Sequence, residues 1–496
     1  MASDSEDTRQ RAFLRYIHRH RCEIPMNEAD KLTIEPGIRQ MLGHLIQKVG
    51  EKNPIFKISD IISSGSFYEG TKIGNFDEFD FMVILKIFSE PDRINIQKGC
   101  SDWYTKLQLK TDQKENLQPY MCYCASGNVD TETYHNRYEN YFRNPKDLIS
   151  CFWNTISEVT ESDSFHVEIL EGTLIPTKIE KEKLPLVYVK RSGVSEMKYD
   201  KYSRTLVKVE RTHIGVDLMM ALEHPNPTAV GDLSGFPSEF QDLLLKYGCH
   251  IITKSCHVNH SPHPSCWFIS FARMELELMK NMDEHHKYCY KILKALLIEE
   301  INLSGKCMNL SSYVLKTAFL FHVYGDNKCT HSRLDISCIN SVLDYMSSCF
   351  HKIRIPCFFA RDMNVWGHVL EFPCFKWGWP GLSLIGGRNQ KFALLWIKFW
   401  YRIVQFVKST LSEEKIPEMG SWIFATEKFD YTKRTIYYLI NRYLSNEEAV
   451  KGALTIQELA EVNLDSCSDE DFATYIKELQ NNYNIKLDFL LTENRH

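Results

Sequence analysis

The chain has 496 residues, 44% hydrophobic and 25% charged, which is the make-up of ordinary globular protein with room for two or three domains. A net charge of −5 excludes a polycation that grips nucleic acid over its whole surface, so any such site has to be a local basic patch. Sixteen cysteines, scattered behind the leaderless opening MASDSEDTRQ, read as reduced thiols of a cytoplasmic protein.

Residues 1–30 form a basic N-terminal segment in which Arg11, Arg15 and Arg19 share one helix face, with Arg9 and Arg21 beside them. A helix follows, with Pro36 near its start and Ile38, Met41, Leu42, Leu45, Ile46 and Val49 at helical spacing. Strand–turn–strand signals run from Ile55 to Ile87, and Ser64 to Leu85 within them reads SGSFYEGTKIGNFDEFDFMVIL. Side chains alternate faces along a strand, so Glu78 and Asp80 point one way while Phe79 and Phe81 point the other. An E-x-D pair is commonly a solvated face, but the run Phe76, Phe79, Phe81, Met82, Val83, Ile84, Leu85 argues against that here. Two carboxylates rooted in an apolar layer repel unless a cation sits between them, and such oxygen ligands suit the Mg²⁺ or Mn²⁺ that a nucleoside triphosphate carries. The Gly65-Ser66 turn upstream offers backbone N–H groups and a hydroxyl, as phosphate-cradling loops do, although a Gly-Ser pair alone is only a turn.

More sheet is expected at 165–170, 204–210 and 214–222. In the last of these Asp217 is the one acid in an apolar run, and a buried carboxylate is costly unless it is paired or metal-bound. Either a salt bridge to a lysine or arginine, or a third place in a metal site, satisfies it. Three carboxylates can hold two cations about 3.5–4 Å apart for phosphoryl transfer. The Pro-rich stretches 223–227 and 376–381 mark lobe junctions. Cys249, His250, Cys256, His257, His260, His263 and Cys266 are zinc ligand types, but their spacing fits no standard finger and a histidine-rich surface loop is the simpler reading. From about residue 235 the pattern is mostly helical, at 270–300, 311–324, 337–350, 390–410 and 430–445, with a last helix from Ser468 capped through Asp471. Phe392 to Val407 is the most apolar stretch, yet Lys398, Arg402 and Gln405 make a polar stripe on it, so it is a core helix and not a membrane span.

The ordered set G-S-x-x-x-G, E-F-D and V-D-h-x-h-A-L-E resembles the cyclic GMP–AMP synthase and synthase-like receptor branch of the male-abnormal-21 family. Trp267-Phe268-Ile269-Ser270-Phe271 with Glu275, and Ser311-Ser312-Tyr313-Val314-Leu315-Lys316-Thr317-Ala318-Phe319, match further motifs of that branch in the right order. The resemblance covers roughly residues 30–370. It implies an α/β bilobal nucleotidyltransferase fold: a mixed β-sheet catalytic lobe with a long spine helix at 31–230, and a helical lobe at 231–370 that completes the nucleotide site. Residues 371–496 form a helical extension of unassigned role.

The resemblance implies that Glu78, Asp80 and Asp217 are catalytic and hold two Mg²⁺ or Mn²⁺ ions, and that Gly65 and Ser66 seat the triphosphate. Ser312 and Lys316 share a helix face with Tyr313 at its edge, a hydroxyl, ring and ammonium that suit a nucleotide. Lys287, Lys291 and Lys294 form a stripe that is a solvated face on spacing alone, and by resemblance Lys294 reaches the phosphates. ATP and GTP are the implied substrates and a 2′-5′-linked cyclic GMP–AMP the implied product. Phe268, Ala272 and Met219 depart from the family at the acceptor pocket, which puts base choice and linkage in question. The zinc-binding thumb of the vertebrate enzymes is missing, with His285, His286 and Cys289 alone in its place, so zinc is not expected. Thumbless relatives suggest activation by double-stranded nucleic acid, RNA over DNA, on a basic surface drawn from Arg15, Arg19, Arg39, Lys48, Lys52, Lys57 and Lys254, with room for a dimer on the duplex and no membrane partner. Two other readings are a linear 2′-5′ oligonucleotide synthetase or template-free polymerase, and a catalytically silent binding scaffold.

Overall fold

The computed structural model describes residues 2–23, 28–74, 77–89, 93–99, 103–110, 145–162, 165–169, 172–177, 183–190, 196–200, 205–209, 212–223, 236–253, 266–299, 310–326, 328–331, 336–352 and 354–363, with a few single positions up to 411. The expected helices at 430–445 and after Ser468, most of the one at 390–410, Lys254, the Pro-rich stretch 376–381 and the middle of the Cys/His cluster lie outside them. No described helix is long and apolar enough to cross a membrane.

The chain divides into two compact units, Ile24–Asn281 and a second formed by Met1–Glu23 with Met282–His496. In the first unit, helix α2 (Glu28–Lys52) begins eight residues before Pro36, which therefore lies inside it and not near its start. An interior proline loses one backbone hydrogen bond. The stripe Ile34, Ile38, Met41, Leu42, Leu45, Ile46 and Val49, all buried, outweighs that loss by packing. The stripe faces α4 (Pro145–Ser162) and a core that includes Phe56 and Phe152, whose rings meet edge to face at 5.2 Å.

A ten-stranded mixed sheet is the frame of this unit. Its centre is β10 (Thr212–Glu223), which pairs in parallel with β2 (Glu78–Leu85) and antiparallel with β7 (Leu184–Lys190) and β11 (His250–Ile252). β1 (Ile58–Ser64) lies antiparallel on β2, and β12 (Cys266–Ser270) continues the sheet from β11 to β4 (Tyr104–Leu109) and β3 (Ile94–Lys98). β5 (Val167–Ile169) and β6 (Gly172–Pro176) extend the sheet beyond β7, while β8 (Glu196–Asp200) and β9 (Thr205–Val209) form a separate hairpin. Residues 231–281, expected with the helical lobe, thus carry two strands of the sheet as well as α5 (Gln241–Tyr247) and α6 (Ala272–Asn281). The apolar runs of β11 and β12 are fully buried, and a buried strand cannot be told from a buried helix by periodicity alone.

The other unit is helical among the described residues. The expected helix at 270–300 breaks at Asn281, so that α7 (Glu284–Lys294) starts this unit afresh. α8 (Ser312–Tyr324) and α9 (Ile336–His351) fall close to their expected spans. α1 (Ala2–Ile17) joins them, followed by a π-helical turn at His18–Cys22, and His18 stacks on Tyr288 at 3.6 Å. The π turn holds Arg19, so the single arginine face expected for Arg11, Arg15 and Arg19 is broken there.

Candidate active site

Sheet register builds the acid cluster. Alternation along β2 buries Phe79 and Phe81 and leaves Glu78 and Asp80 half-buried on the other face. Parallel pairing sets Asp217 of β10 directly opposite Asp80. One carboxylate oxygen from each of Glu78, Asp80 and Asp217 lies within 4.8 Å of the other two. Like charges opposite one another destabilise a sheet, so the arrangement needs positive charge close by.

Part of that charge comes from Lys183, which the sequence reading did not single out. Its Nζ donates to Glu78 Oε1 at 2.7 Å and lies 2.9 Å from Asp217 Oδ2. Antiparallel pairing of Val216 with Leu184 puts Lys183 at the next position beside Asp217. A lysine immediately before the apolar run Leu184–Val189 was the available signal. The salt bridge foreseen for Asp217 therefore exists, in the same place as the acid cluster. Lys72 adds a second ammonium, 3.3 Å from Asp77 and 3.7 Å from Glu78.

The protonation of the three acids differs. Burial pulls Glu78 up, but the hydrogen bond and charge of Lys183, with Lys72, win and hold it below its ordinary value. Burial, then the charges of Glu78 and Asp217, push Asp80 up to about 6. Burial also raises Asp217 despite its bond to Lys183. Asp217 Oδ1 is shut off from solvent and has no hydrogen-bond partner. A strained acid set with an orphaned buried oxygen fits hard divalent cations of the Mg²⁺ or Mn²⁺ type.

The Gly65-Ser66 segment is placed beside this cluster. β1 pairs Ser64 with Asp80, and the chain turns at once into the single helical turn α3 (Gly65–Tyr68). Gly65 has φ +76°, and a Cβ there would fall 1.8 Å from Asp80 Oδ2. Only glycine gives the backbone this close approach to the carboxylate. The turn is fixed by Glu69 N donating to Gly65 O and Thr71 N donating to Ser66 O, at 3.1 and 2.9 Å.

Lys294, Ser312, Tyr313 and Lys316 belong to the helical unit. Lys294 is only 8% exposed, so it is not part of a solvated lysine face; Lys287 pairs with Glu284 at 2.9 Å. Ser311 caps α8 by accepting from Tyr313 N, which leaves Ser312 exposed on the first turn with Tyr313 and Lys316 half-buried after it. Among the family departures, Met219 is exposed on β10, whereas Phe268 is buried and stacked on Trp103 at 5.4 Å. Cys249, His250 and Cys266 are buried in the sheet, and no described metal-type cluster includes them.

The basic residues proposed to meet a duplex are unequal. Arg39 is tied to Glu35 and Ser63 and lies over the Tyr68 and Phe81 rings, and Lys52 pairs with Glu158 at 2.8 Å. Lys48 lies over Phe165, while Arg15 and Arg19 are exposed in the other unit and Lys57 is exposed in this one.

A mixed sheet with carboxylates on adjacent parallel strands, and a glycine turn pressed against one of them, defines the nucleotidyltransferase class of fold. Residues 67–281 match the model of the Mab-21 protein nucleotidyltransferase domain, and residues 285–371 that of the Mab-21 protein HhH/H2TH-like domain. The chain belongs to the Mab-21 family, and the two matches meet where the two compact units do. It is 21% identical over 360 residues to a Sus scrofa protein named cyclic GMP-AMP synthase, covering 67% of this chain and 63% of that one. It is 22% identical over 342 residues to a Magallana gigas protein named cyclic GMP-AMP synthase-like receptor, covering 64% of this chain and 50% of that one. The chain thus spans less than two thirds of these relatives' length.

Proposed function

We propose that this protein is a nucleic-acid-sensing nucleotidyltransferase of innate immune signalling that makes a cyclic dinucleotide. The preferred product is a 2′-5′-linked cyclic GMP–AMP formed from ATP and GTP, and the preferred activator is double-stranded RNA over DNA. The observation that carries the reading is the acid cluster of Glu78, Asp80 and Asp217, backed by the Gly65 turn. Glu78, Asp80 and Asp217 would hold two Mg²⁺ or Mn²⁺ ions. When bound, such ions neutralise charge on the attacking and leaving oxygens of phosphoryl transfer.

The chain's own groups supply the rest. Gly65 keeps space for the Asp80 carboxylate, and the Gly65-Ser66 turn, with its backbone N–H groups and the Ser66 hydroxyl, is the proposed seat of the triphosphate. Asp217 has an unpartnered oxygen and a raised proton affinity, so it suits accepting the proton of an attacking ribose hydroxyl. Lys294, Ser312, Tyr313 and Lys316 are the proposed nucleotide contacts of the helical unit. Sequence-independent capture of a duplex would use exposed basic residues such as Lys57, Arg15 and Arg19 on phosphates, and would weaken steeply with salt.

One observation favours a second reading. The Lys183 bridge already neutralises Glu78 and Asp217, as a silent binding scaffold of the same fold would require. Incubation of the full chain with all four nucleoside triphosphates, Mg²⁺ or Mn²⁺, and long duplex RNA or DNA separates the two. A phosphatase-resistant cyclic product identified by mass, absent with Asp80→Asn, is the expected result. A ladder of linear products would point to an oligonucleotide synthetase, and no turnover under any condition to the scaffold. Complete digestion of the product by a nuclease specific for 3′-5′ bonds would remove the 2′-5′ linkage.

A further inference from the structure

A second group of ligand-type side chains converges within the helical unit, away from the acid cluster in sequence and chemistry. His286 is in the first turn of α7, His322 in the last turn of α8 and Cys338 in the first turn of α9, while Cys329 lies in the connection between α8 and α9. One ligand atom from each of the four lies within 4.8 Å of the others. The two sulfurs are 3.6 Å apart. Two thiolates on one tetrahedral zinc, each at about 2.3 Å from the metal, stand about 3.8 Å from each other. The His286 and His322 rings lie 5.5 Å apart, nearly perpendicular.

The histidines carry the second line of argument. His286 is 2% exposed, yet neither ring nitrogen makes a hydrogen bond; the Asp283 carboxylate is 3.9 Å from Nδ1, beyond hydrogen-bonding reach. His322 Nε2 is buried without a partner as well. A buried polar atom left without a partner keeps its desolvation cost uncompensated. Unlike His250, which is buried and unpartnered with no described metal-type group around it, these two histidines lie together with two thiols, so one metal ion would satisfy them.

An outer layer is also present. His331 Nδ1 is 3.0 Å from Cys329 Sγ, and its Nε2 is 3.2 Å from Ser337 Oγ. With the Ser337 hydroxyl donating to Nε2, the Nδ1–H donates to the sulfur, which stabilises a thiolate over a thiol. The backbone N–H of Cys329 donates to His322 O at 3.0 Å and fixes the connection against the end of α8.

We propose that His286, His322, Cys329 and Cys338 bind one structural Zn²⁺ that staples α7, α8 and α9. A closed set of two thiolates and two imidazoles takes zinc tetrahedrally and leaves no open position for chemistry. The absence of zinc expected from the sequence rested on the missing thumb; of the four ligands only His286 lies in the thumb's place, and the other three come from residues 322–338.

The test is the zinc content of the full chain, expressed with zinc, purified in reductant without a metal-affinity step, and measured by plasma mass spectrometry. One zinc per chain is expected. Cys329→Ser or Cys338→Ser should lower zinc affinity by more than the roughly 10–100-fold that loss of an outer-layer partner costs. His285→Ala should keep the metal, because His285 belongs to the competing group Asp283, His285 and His286. Asp80→Asn should keep it too, because the acid cluster is a separate site. Should the cysteine variants fail to fold, cobalt exchange into the wild-type chain gives a second readout: tetrahedral cobalt bands with a thiolate charge-transfer band, and protection of Cys329 and Cys338 from alkylation. Folded, reduced protein without zinc, retention of zinc by both cysteine variants, or a Cys329–Cys338 disulfide in metal-free protein would each overturn the proposal.

Discussion

Replacing Gly65 by alanine should disable the acid cluster while leaving the fold in place. Two costs add. The left-handed φ of +76° is strained for an L-residue by roughly 1–2 kcal/mol. The new Cβ would lie 1.8 Å from Asp80 Oδ2 and 2.5 Å from its Cγ, so the carboxylate has to retreat by more than 1 Å, at a rotamer cost of about 0.5–1.5 kcal/mol. Together these predict a loss of about 2–3 kcal/mol and, at roughly 2–4 °C per kcal/mol for a unit of this size, a Tm lower by about 5–10 °C. The effect on chemistry is larger, because a displacement of about 1 Å in a reacting constellation costs on the order of 100-fold in rate. Gly74→Ala is the control: its φ is +74°, but nothing lies within 4 Å of the added Cβ. The assay compares cyclic product per folded chain, and the Tm gain on adding Mn²⁺, for both variants. Gly65→Ala should lose at least about 100-fold in turnover and most of the Mn²⁺ effect, and Gly74→Ala should lose only stability. Equal losses in the two, or turnover by Gly65→Ala within about twofold of wild type, would refute the argument from close approach.

Asp80→Asn should be inactive yet more stable than wild type in EDTA. The fold raises the Asp80 carboxyl from 3.8 to about 6, so the folded state holds that proton more tightly than the unfolded chain, and stability falls as pH rises between those values. The gain is at most about 3 kcal/mol at pH 7 and vanishes near pH 4; a Tm equal to wild type across that range would contradict it. His250 is buried and held down to about 4, so the unfolded chain takes up a proton below 6.5 before the fold does. Between pH 7 and 4 the His250 contribution should therefore fall by roughly 3 kcal/mol, opposite in sign to that of Asp80, and in urea unfolding His250→Gln should gain stability relative to wild type as pH falls; a difference that stays constant with pH would contradict it. Lys183→Met removes the ammonium from Glu78 and Asp217. It should lower Tm in EDTA and enlarge the Tm gain from Mn²⁺; an unchanged gain would mean that Lys183 does not compensate the acids. A half-exposed pair contributes only about 1 kcal/mol, so the divalent-ion effect is the better readout.

Strand alternation made Glu78 and Asp80 legible, because the period of two is set by neighbouring residues alone. The solitary charge of Asp217 in an apolar run, and the apolar spacing of α8 and α9, were legible for the same local reason. Local signals also err locally: a proline favours a helix start, yet at Pro36 the buried stripe around it carries α2 through. Which strands neighbour which was decided only in three dimensions. Parallel pairing of β10 with β2 put Asp217 opposite Asp80, and antiparallel pairing with β7 delivered Lys183 from far away in the chain. Strands β11 and β12 joined the same sheet past the expected lobe junction, because a short buried run pairs wherever an edge is open to it. The His286, His322, Cys329 and Cys338 group had no spacing to read, since three helices and a connection supply its geometry. A finger motif shows in sequence when its ligands share one short element; here helix packing brings them together, and packing is a property of the folded chain.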